Sequence, residues 1–310
     1  MKKTKILIAG IGGVGGYFGG LLAKHYEKSD EVDICFLAKG KHLKVIQRIG
    51  LKVIKGKDEI ICQPQIATDN ALEIGIANFI IICTKTYSLE SLIEQLKPCI
   101  DSHTIIIPLL NGVDSKERIQ NYFPDNLILD GCVYIVSRLK EQGVIENSGN
   151  IQKLFFGSDN STNESLQFLE RILLDANIEA NLSANIVSVV WEKFIFISAT
   201  ASATSYFNNC IGEILSDVEK RNTLIKLIDE VKNVALTKGI NIPDDILNST
   251  LKKLEALPFE TTSSMHTDFK NKKNTELESL TEYVIKEGNK LNIATITYNK
   301  IHNALINNFF

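Results

Sequence analysis

The chain has 310 residues, of which 44% are hydrophobic and 23% charged, and its formal net charge is −3. That balance describes an ordinary folded globular protein and gives no reason to expect nucleic acid or a membrane surface as a partner. The length is generous for one hydrophobic core, so two domains are expected, and any binding must come from a local site.

Six cysteines (Cys35, Cys62, Cys83, Cys99, Cys132, Cys210) are scattered without a C-x-x-C pair or a histidine at metal spacing. They are expected to be reduced and mostly buried, with no metal centre. The first residues lead into a five-residue apolar run, too short for the core of a secretory signal. No apolar stretch is expected to span a bilayer, and a cytoplasmic location is the expectation.

Residues 5–9 form a short apolar run with the length and β-branched content of a buried strand, and it ends in Gly10-Ile11-Gly12-Gly13-Val14-Gly15. A strand that runs into G-x-G-x-x-G and then a helix is the arrangement that cradles a pyrophosphate. Gly10 permits the tight turn, Gly12 lets the backbone approach the diphosphate, and Gly15 lets the helix pack on the strand. With seven glycines between Gly10 and Gly20 the motif alone is weak; its placement after a strand gives it weight.

A helix is predicted over 17–27 and a second strand over 32–38. At the end of that strand an acidic residue would favour NAD and a basic one NADP. Asp33 stands near the strand's start, whereas the end carries Lys39, helped by Lys41 or His42, so NADP(H) is the expected cofactor. Strands are predicted over 51–54, 60–62, 78–84, 104–108 and 127–129, with helical segments between, which means a parallel doubly wound sheet. Ligands of such sheets lie beyond the carboxyl ends of the strands. That singles out Lys85 after one buried run, as a cation, and Asn111 after the next, as a two-way amide. Residues 132–157 look like an antiparallel extension of the sheet.

The second half reads as helix. Residues 185–206 are apolar or small on nearly every face and should form a buried central helix, yet they contain Glu192 and Lys193. A lysine there must snorkel, pair with an acid, or face a cavity, where it could donate a proton to a ketone being reduced. Further helices are predicted over 217–238, from Pro243 to a break at Pro258, over 262–269, and from 276 onward. The expected class is α/β: a Rossmann-type doubly wound domain over 1–183 followed by an all-α domain over 184–310.

Taken together, these residues resemble the ketopantoate reductase (2-dehydropantoate 2-reductase) family along nearly the whole chain. The marks are the glycine motif, Lys39, Lys85 in Cys83-Thr84-Lys85-Thr86, Asn111-Gly112, Trp191-Glu192-Lys193, Ser263-Ser264-Met265 with Asp268, and Lys273-Asn274-Thr275-Glu276. The resemblance implies NADPH-dependent reduction of a 2-oxo acid, 2-dehydropantoate to (R)-pantoate for pantothenate synthesis. Lys193 would be the general acid, Glu276 would orient it and the substrate hydroxyl, and Ser264 would help hold the substrate carboxylate. Lys85 and Asn111 would border cofactor and substrate, with Glu276 also near the cofactor.

The chain departs from the family at Ile197 and Ala201, where asparagines usually follow the lysine by four and eight residues. Either Ser198, Thr200 or Ser205 supplies polar contacts instead, or the substrate is a more apolar 2-oxo acid. Leu280-Thr281-Glu282 also replaces the usual Ile-Asn-Gly. A catalytically idle NADP(H)-binding sensor or partner module is a further alternative, though retained Lys193 and Glu276 argue against it. The oligomeric state stays open, a homodimer included.

Overall fold

The computed structural model describes residues 3–159 and 163–309, with side chains through residue 307. Met1 and Lys2, which precede the N-terminal apolar run, lie outside the described residues. The chain divides into two compact units, one of Met1–Leu110 with Asp114–Ile186, the other of Asn111–Val113 with Val187–Phe310.

The first unit runs β1 (Thr4–Ala9), α1 (Gly13–His25), β2 (Val32–Leu37), α2 (Gly40–Ile49), β3 (Leu51–Lys55), β4 (Asp58–Cys62), β5 (Ile66–Thr68) and α3 (Ala71–Ile74). It continues through β6 (Phe79–Ile82), α4 (Leu89–Leu96), β7 (Ile105–Pro108), α5 (Ser115–Gln120), β8 (Asp130–Glu141), β9 (Val144–Gly157), α6 (Glu164–Asp175) and β10 (Glu179–Leu182). A parallel sheet has the order β5-β2-β1-β6-β7. Its central strands are buried and apolar toward their carboxyl ends because both faces are covered there. Ile6, Ile8, Ile34, Phe36, Phe79 and Ile81 join one core, and the alternate residues Leu7, Ala9, Cys35, Leu37, Ile80 and Ile82 join the other.

The segment around residues 132–157 does not extend this sheet. β8 and β9 form a long antiparallel hairpin, and β9 also pairs in parallel with β3 and β10. With the antiparallel pair β3 and β4 this makes a second sheet, of order β10-β9-β3-β4. Residues 127–129, predicted as a strand, contribute a single bridge between Ile128 and Ile106.

Helix α1 packs against strands of both sheets, which accounts for its glycines beyond the motif. A Cβ on Gly19 would lie 3.1 Å from both Ile8 and Phe36 of the first sheet. On Gly16 or Gly20 it would fall 2.6 Å from Ile145 or 2.5 Å from Val53 of the second. Close packing on two sides leaves no room for side chains there.

The second unit is helical: α7 (Ile186–Phe207), α8 (Ile211–Ser216), α9 (Val218–Thr237), α10 (Ile246–Glu255), α11 (Ser264–Lys270), a π-helical turn (Glu278–Glu282), α12 (Tyr283–Leu291) and α13 (Ile296–Phe309). Asp217 caps α9 by accepting the Glu219 and Lys220 amides, and Ser263 caps α11 by accepting the His266 amide. Such caps satisfy amides that lack partners within the helix.

Helix α7 corrects one expectation, since by length and composition it is long and apolar enough to cross a membrane. Two thirds of its most apolar window is nevertheless buried inside the protein, which is how a core helix behaves. Trp191 and Phe194 stack edge-on at 5.5 Å, and both meet Tyr283 of α12. Its hydroxyls are used for cohesion. Ser198 donates to the Leu280 carbonyl and bonds Tyr298 Oη, each at 2.6 Å, and Ser202 bonds Thr281 at 2.9 Å. Thr204 bonds Ser263 at 2.8 Å. Each bond satisfies a buried polar group that would otherwise be costly.

All six cysteines are free thiols, and four of them are buried. Burial pushes the Cys35 thiol up to about 11 and Cys62 to about 12.

Candidate active site

Within the first unit, the glycine motif lies at the carboxyl edge of the parallel sheet. Ala9 pairs with Leu37 and with Ile82, so the chain leaves β1, β2 and β6 on the same edge. Gly10, Lys39 and Lys85 follow those strands. Gly10 adopts φ +99°, and a Cβ there would lie 2.9 Å from the Cys83 carbonyl oxygen. A Cβ on Gly15 would lie 2.1 Å from the Gly10 carbonyl oxygen, so the helix starts hard against the turn.

Gly12 differs from both. It is the N-cap of α1, and no atom lies within 4 Å of where its Cβ would be. Open space over the first turn of a helix, whose amides have no intrahelical acceptor, suits an anion in backbone contact. These residues fit a dinucleotide diphosphate. Ile11 is buried, Gly13 packs against the Ser137 carbonyl, and Val14 packs on the first core.

Lys39 is the exposed N-cap of α2, and Lys41 beside it is exposed too. Both are open to a phosphate. His42 is not available in that way: it is buried, and its Nδ1 accepts the Gly143 amide at 2.9 Å. Asp33 pairs with Lys5 in the β1–β2 ladder and with the Lys3 ammonium at 3.3 Å, at the opposite end of β2 from Lys39. Lys85 is the half-buried N-cap of a short 3-10 turn after β6.

Within the second unit, three predicted residues from distant parts of the chain meet. Lys193 Nζ donates to Asn111 Oδ1 at 3.2 Å, and Asn111 Nδ2 donates to Glu276 Oε2 at 3.3 Å. Glu276 is 2% exposed and Lys193 8%. Each element supplies its residue for a local reason. Gly112 turns the backbone at φ +95° directly after Asn111, and the neighbouring Val113 packs on the helical core. Lys193 is carried by α7 between buried Trp191 and Phe194. Glu276 stands just before the π-helical turn, and its carbonyl accepts the Leu280 amide. Single π-helical turns recur at functional sites because they redirect a side chain without ending the helix.

A buried ammonium and a buried carboxylate joined through one carboxamide form an oriented proton donor with a compensating charge. The amide fixes both ends, since its oxygen can only accept and its nitrogen only donate.

Ser264 opens α11 and is exposed, while it is the adjacent Ser263 that bonds α7. One turn beyond Lys193, Ile197 is half-buried and packs on the helical core, and Ala201 is buried. Of the hydroxyls expected to compensate, Ser198 is committed to Leu280 and Tyr298, and Thr200 donates to the Phe196 carbonyl at 2.6 Å. Ser205 keeps a buried hydroxyl with no hydrogen-bond partner among the described residues. Among those residues no cluster of three or more His, Cys, Asp or Glu could hold a metal.

Comparison with known proteins gives a consistent picture. Residues 6–161 match the family model described as ketopantoate reductase PanE/ApbA, and residues 185–308 match that of its C-terminal part. A Bacillus subtilis (strain 168) protein named uncharacterized oxidoreductase YkpB is 31% identical over 291 residues, 94% of each chain. A Streptococcus pyogenes 2-dehydropantoate 2-reductase is 26% identical over 302 residues, 94% of this chain and 93% of its own. Among solved structures, the 2-dehydropantoate 2-reductase of Porphyromonas gingivalis W83 has a TM-score of 0.87 at 32% identity, covering 98% of this chain and all of its own. A D-mandelate dehydrogenase solved with NADH and anilino(oxo)acetate shares the fold at a TM-score of 0.85 and 20% identity, covering 98% of each chain.

Proposed function

Because this chain belongs to the PanE/ApbA family of ketopantoate reductases and is an oxidoreductase of that family, we propose that it reduces a 2-oxo acid to the 2-hydroxy acid with NADPH. 2-Dehydropantoate, converted to pantoate for pantothenate synthesis, is the substrate that the relatives' names favour. The observation that carries the reading is the Lys193, Asn111 and Glu276 array, because a protein that only bound a dinucleotide would need no buried proton donor.

Gly10, Ile11, Gly12, Gly13, Val14 and Gly15 would hold the diphosphate, with Lys39 at a 2′-phosphate and Lys85 and Asn111 toward the nicotinamide end. When bound, NADPH supplies the hydride. The chain supplies the rest. Lys193 donates a proton to the carbonyl oxygen as charge develops there, Glu276 keeps the lysine protonated and oriented, and Asn111 holds the ammonium in place. Ser264 would help hold the carboxylate of the substrate.

A more apolar 2-oxo acid is the second reading. Ile197 and Ala201 offer no hydrogen bond on the face of α7 that carries Lys193, and Ser198 and Thr200 are already committed. A buried substrate hydroxyl left unpaired loses discrimination by orders of magnitude.

One experiment tests both readings: dinucleotide oxidation followed with 2-dehydropantoate, 2-oxoisovalerate and phenylglyoxylate, each with NADPH and with NADH. Turnover fastest with 2-dehydropantoate and NADPH supports the first reading, and turnover fastest with an unhydroxylated acid supports the second. Dinucleotide binding without turnover of any of them would overturn the reductase assignment.

A further inference from the structure

The first unit buries a histidine that the proposed chemistry does not use. His42, in the first turn of α2, is 8% exposed. The Gly143 amide in the turn between β8 and β9 donates to its Nδ1 at 2.9 Å. An amide nitrogen can only donate, so Nδ1 carries no proton and the ring's one proton sits on Nε2. Burial holds the imidazole below its ordinary pKa, with the backbone of Ile11 pulling the other way.

The ring cannot easily withdraw. Gly143 adopts φ +81°, and a Cβ there would fall 2.3 Å from Val45 Cγ1, so α2 is packed tightly on that turn. His42 Nε2 is therefore a buried donor, and it has no partner at full bonding distance among the described residues. The backbone group that interacts with the ring from the glycine loop is that of Ile11, midway between Gly10 and Gly12. A loop that turns its amides toward an anion must turn its carbonyls away, toward the protein side.

We propose that His42 is a positioning residue for the glycine loop: its Nε2–H takes up the Ile11 carbonyl when the loop closes on a dinucleotide diphosphate. The hydrogen bond turns that oxygen away from the anion and leaves the loop amides facing it. The inference rests on the reading above that the chain binds a nicotinamide dinucleotide. It gives a partner to a buried imidazole donor that has none among the described residues.

The test uses the full chain labelled with 15N at histidine, together with His42→Gln and His42→Asn. The glutamine amide reaches the position of Nε2 and keeps the donor, whereas the asparagine carbonyl can keep only the bond from Gly143. In the wild-type protein His42 should be the neutral Nε2–H tautomer, and its Nε2 proton should move downfield on addition of NADPH. NADPH affinity should fall about tenfold in His42→Asn and stay within about threefold in His42→Gln, as expected for one hydrogen bond.

A cationic or Nδ1–H ring, or an Nε2 proton that NADPH does not shift, overturns the inference without any variant. So does equal loss of affinity and melting temperature in both variants, which is what a packing role alone would give. If the wild type binds NADPH and His42→Asn binds it equally well, the inference fails and the functional reading stands. If the wild type binds neither NADPH nor NADH, both fail.

Discussion

Asn111 and Glu276, 165 positions apart in the chain, meet through one hydrogen bond of 3.3 Å from the carboxamide to a carboxylate that is 2% exposed. The same carboxamide accepts from Lys193, so its removal strips a polar neighbour from two buried charges at once. Asn111→Leu is expected to lower kcat by roughly 10- to 100-fold, a loss of about 1.5–3 kcal/mol in hydrogen bonding to charged groups. Steady-state kinetics check this; a variant with unchanged kcat would show that the amide is a bystander.

Gly12 and Gly15 should separate binding from folding. Gly12→Ala adds a methyl into open space, so its melting temperature should match the wild type while dinucleotide affinity falls by about tenfold or more, because the methyl keeps the anion off the helix amides. Gly15→Ala sets a methyl 2.1 Å from a backbone oxygen, so stability itself should fall, by about 1–3 kcal/mol as for other overpacked sites. Thermal unfolding and fluorescence titration read the two effects independently. Equal melting temperatures for the two variants would contradict the assignment.

Glu287 of α12 gives a dependence on pH. Burial alone would raise its carboxyl, but hydrogen bonds from Lys238 and Lys290, the latter at 2.6 Å, hold it below the ordinary glutamate value. A carboxyl depressed by folding stabilises the protein fully above its unfolded pKa, and the contribution disappears as pH falls through the lower folded value. Glu287→Gln should therefore cost about 1–3 kcal/mol at pH 7, the range for a charge-assisted hydrogen bond, and the gap should close toward pH 3. Urea unfolding of both proteins at the two pH values checks it. A gap of constant size would contradict the ionic origin.

Much of this was legible in the chain because the signals are local. A buried strand running into Gly10, Gly12 and Gly15, and a basic residue at the end of the next strand, are readable from adjacent residues. The second sheet was not. The parallel pairing of β3 with β9 joins segments some ninety positions apart, and no local pattern distinguishes it from an extension of the first sheet. Likewise His42 looked like a phosphate ligand beside Lys39, until the Gly143 turn proved to bury it.

The hydroxyls of α7 carried a signal of a different kind. Alternation of Ser and Thr with Ala over residues 198–205 is the composition of a helix that others approach closely. It does not say which hydroxyl bonds which neighbour, so Ser198 could be read as facing a substrate when it in fact holds Leu280 and Tyr298.

The central claim is that the Lys193 ammonium protonates the carbonyl oxygen of a 2-oxo acid, and the most direct measurement is single-turnover reduction by Lys193→Ala alongside NADPH affinity. The rate of dinucleotide oxidation should fall by roughly 10²- to 10⁴-fold, as for loss of a general acid, with the Kd for NADPH within about twofold of wild type. An unchanged rate, or a loss of rate matched by an equal loss of NADPH affinity, would contradict it.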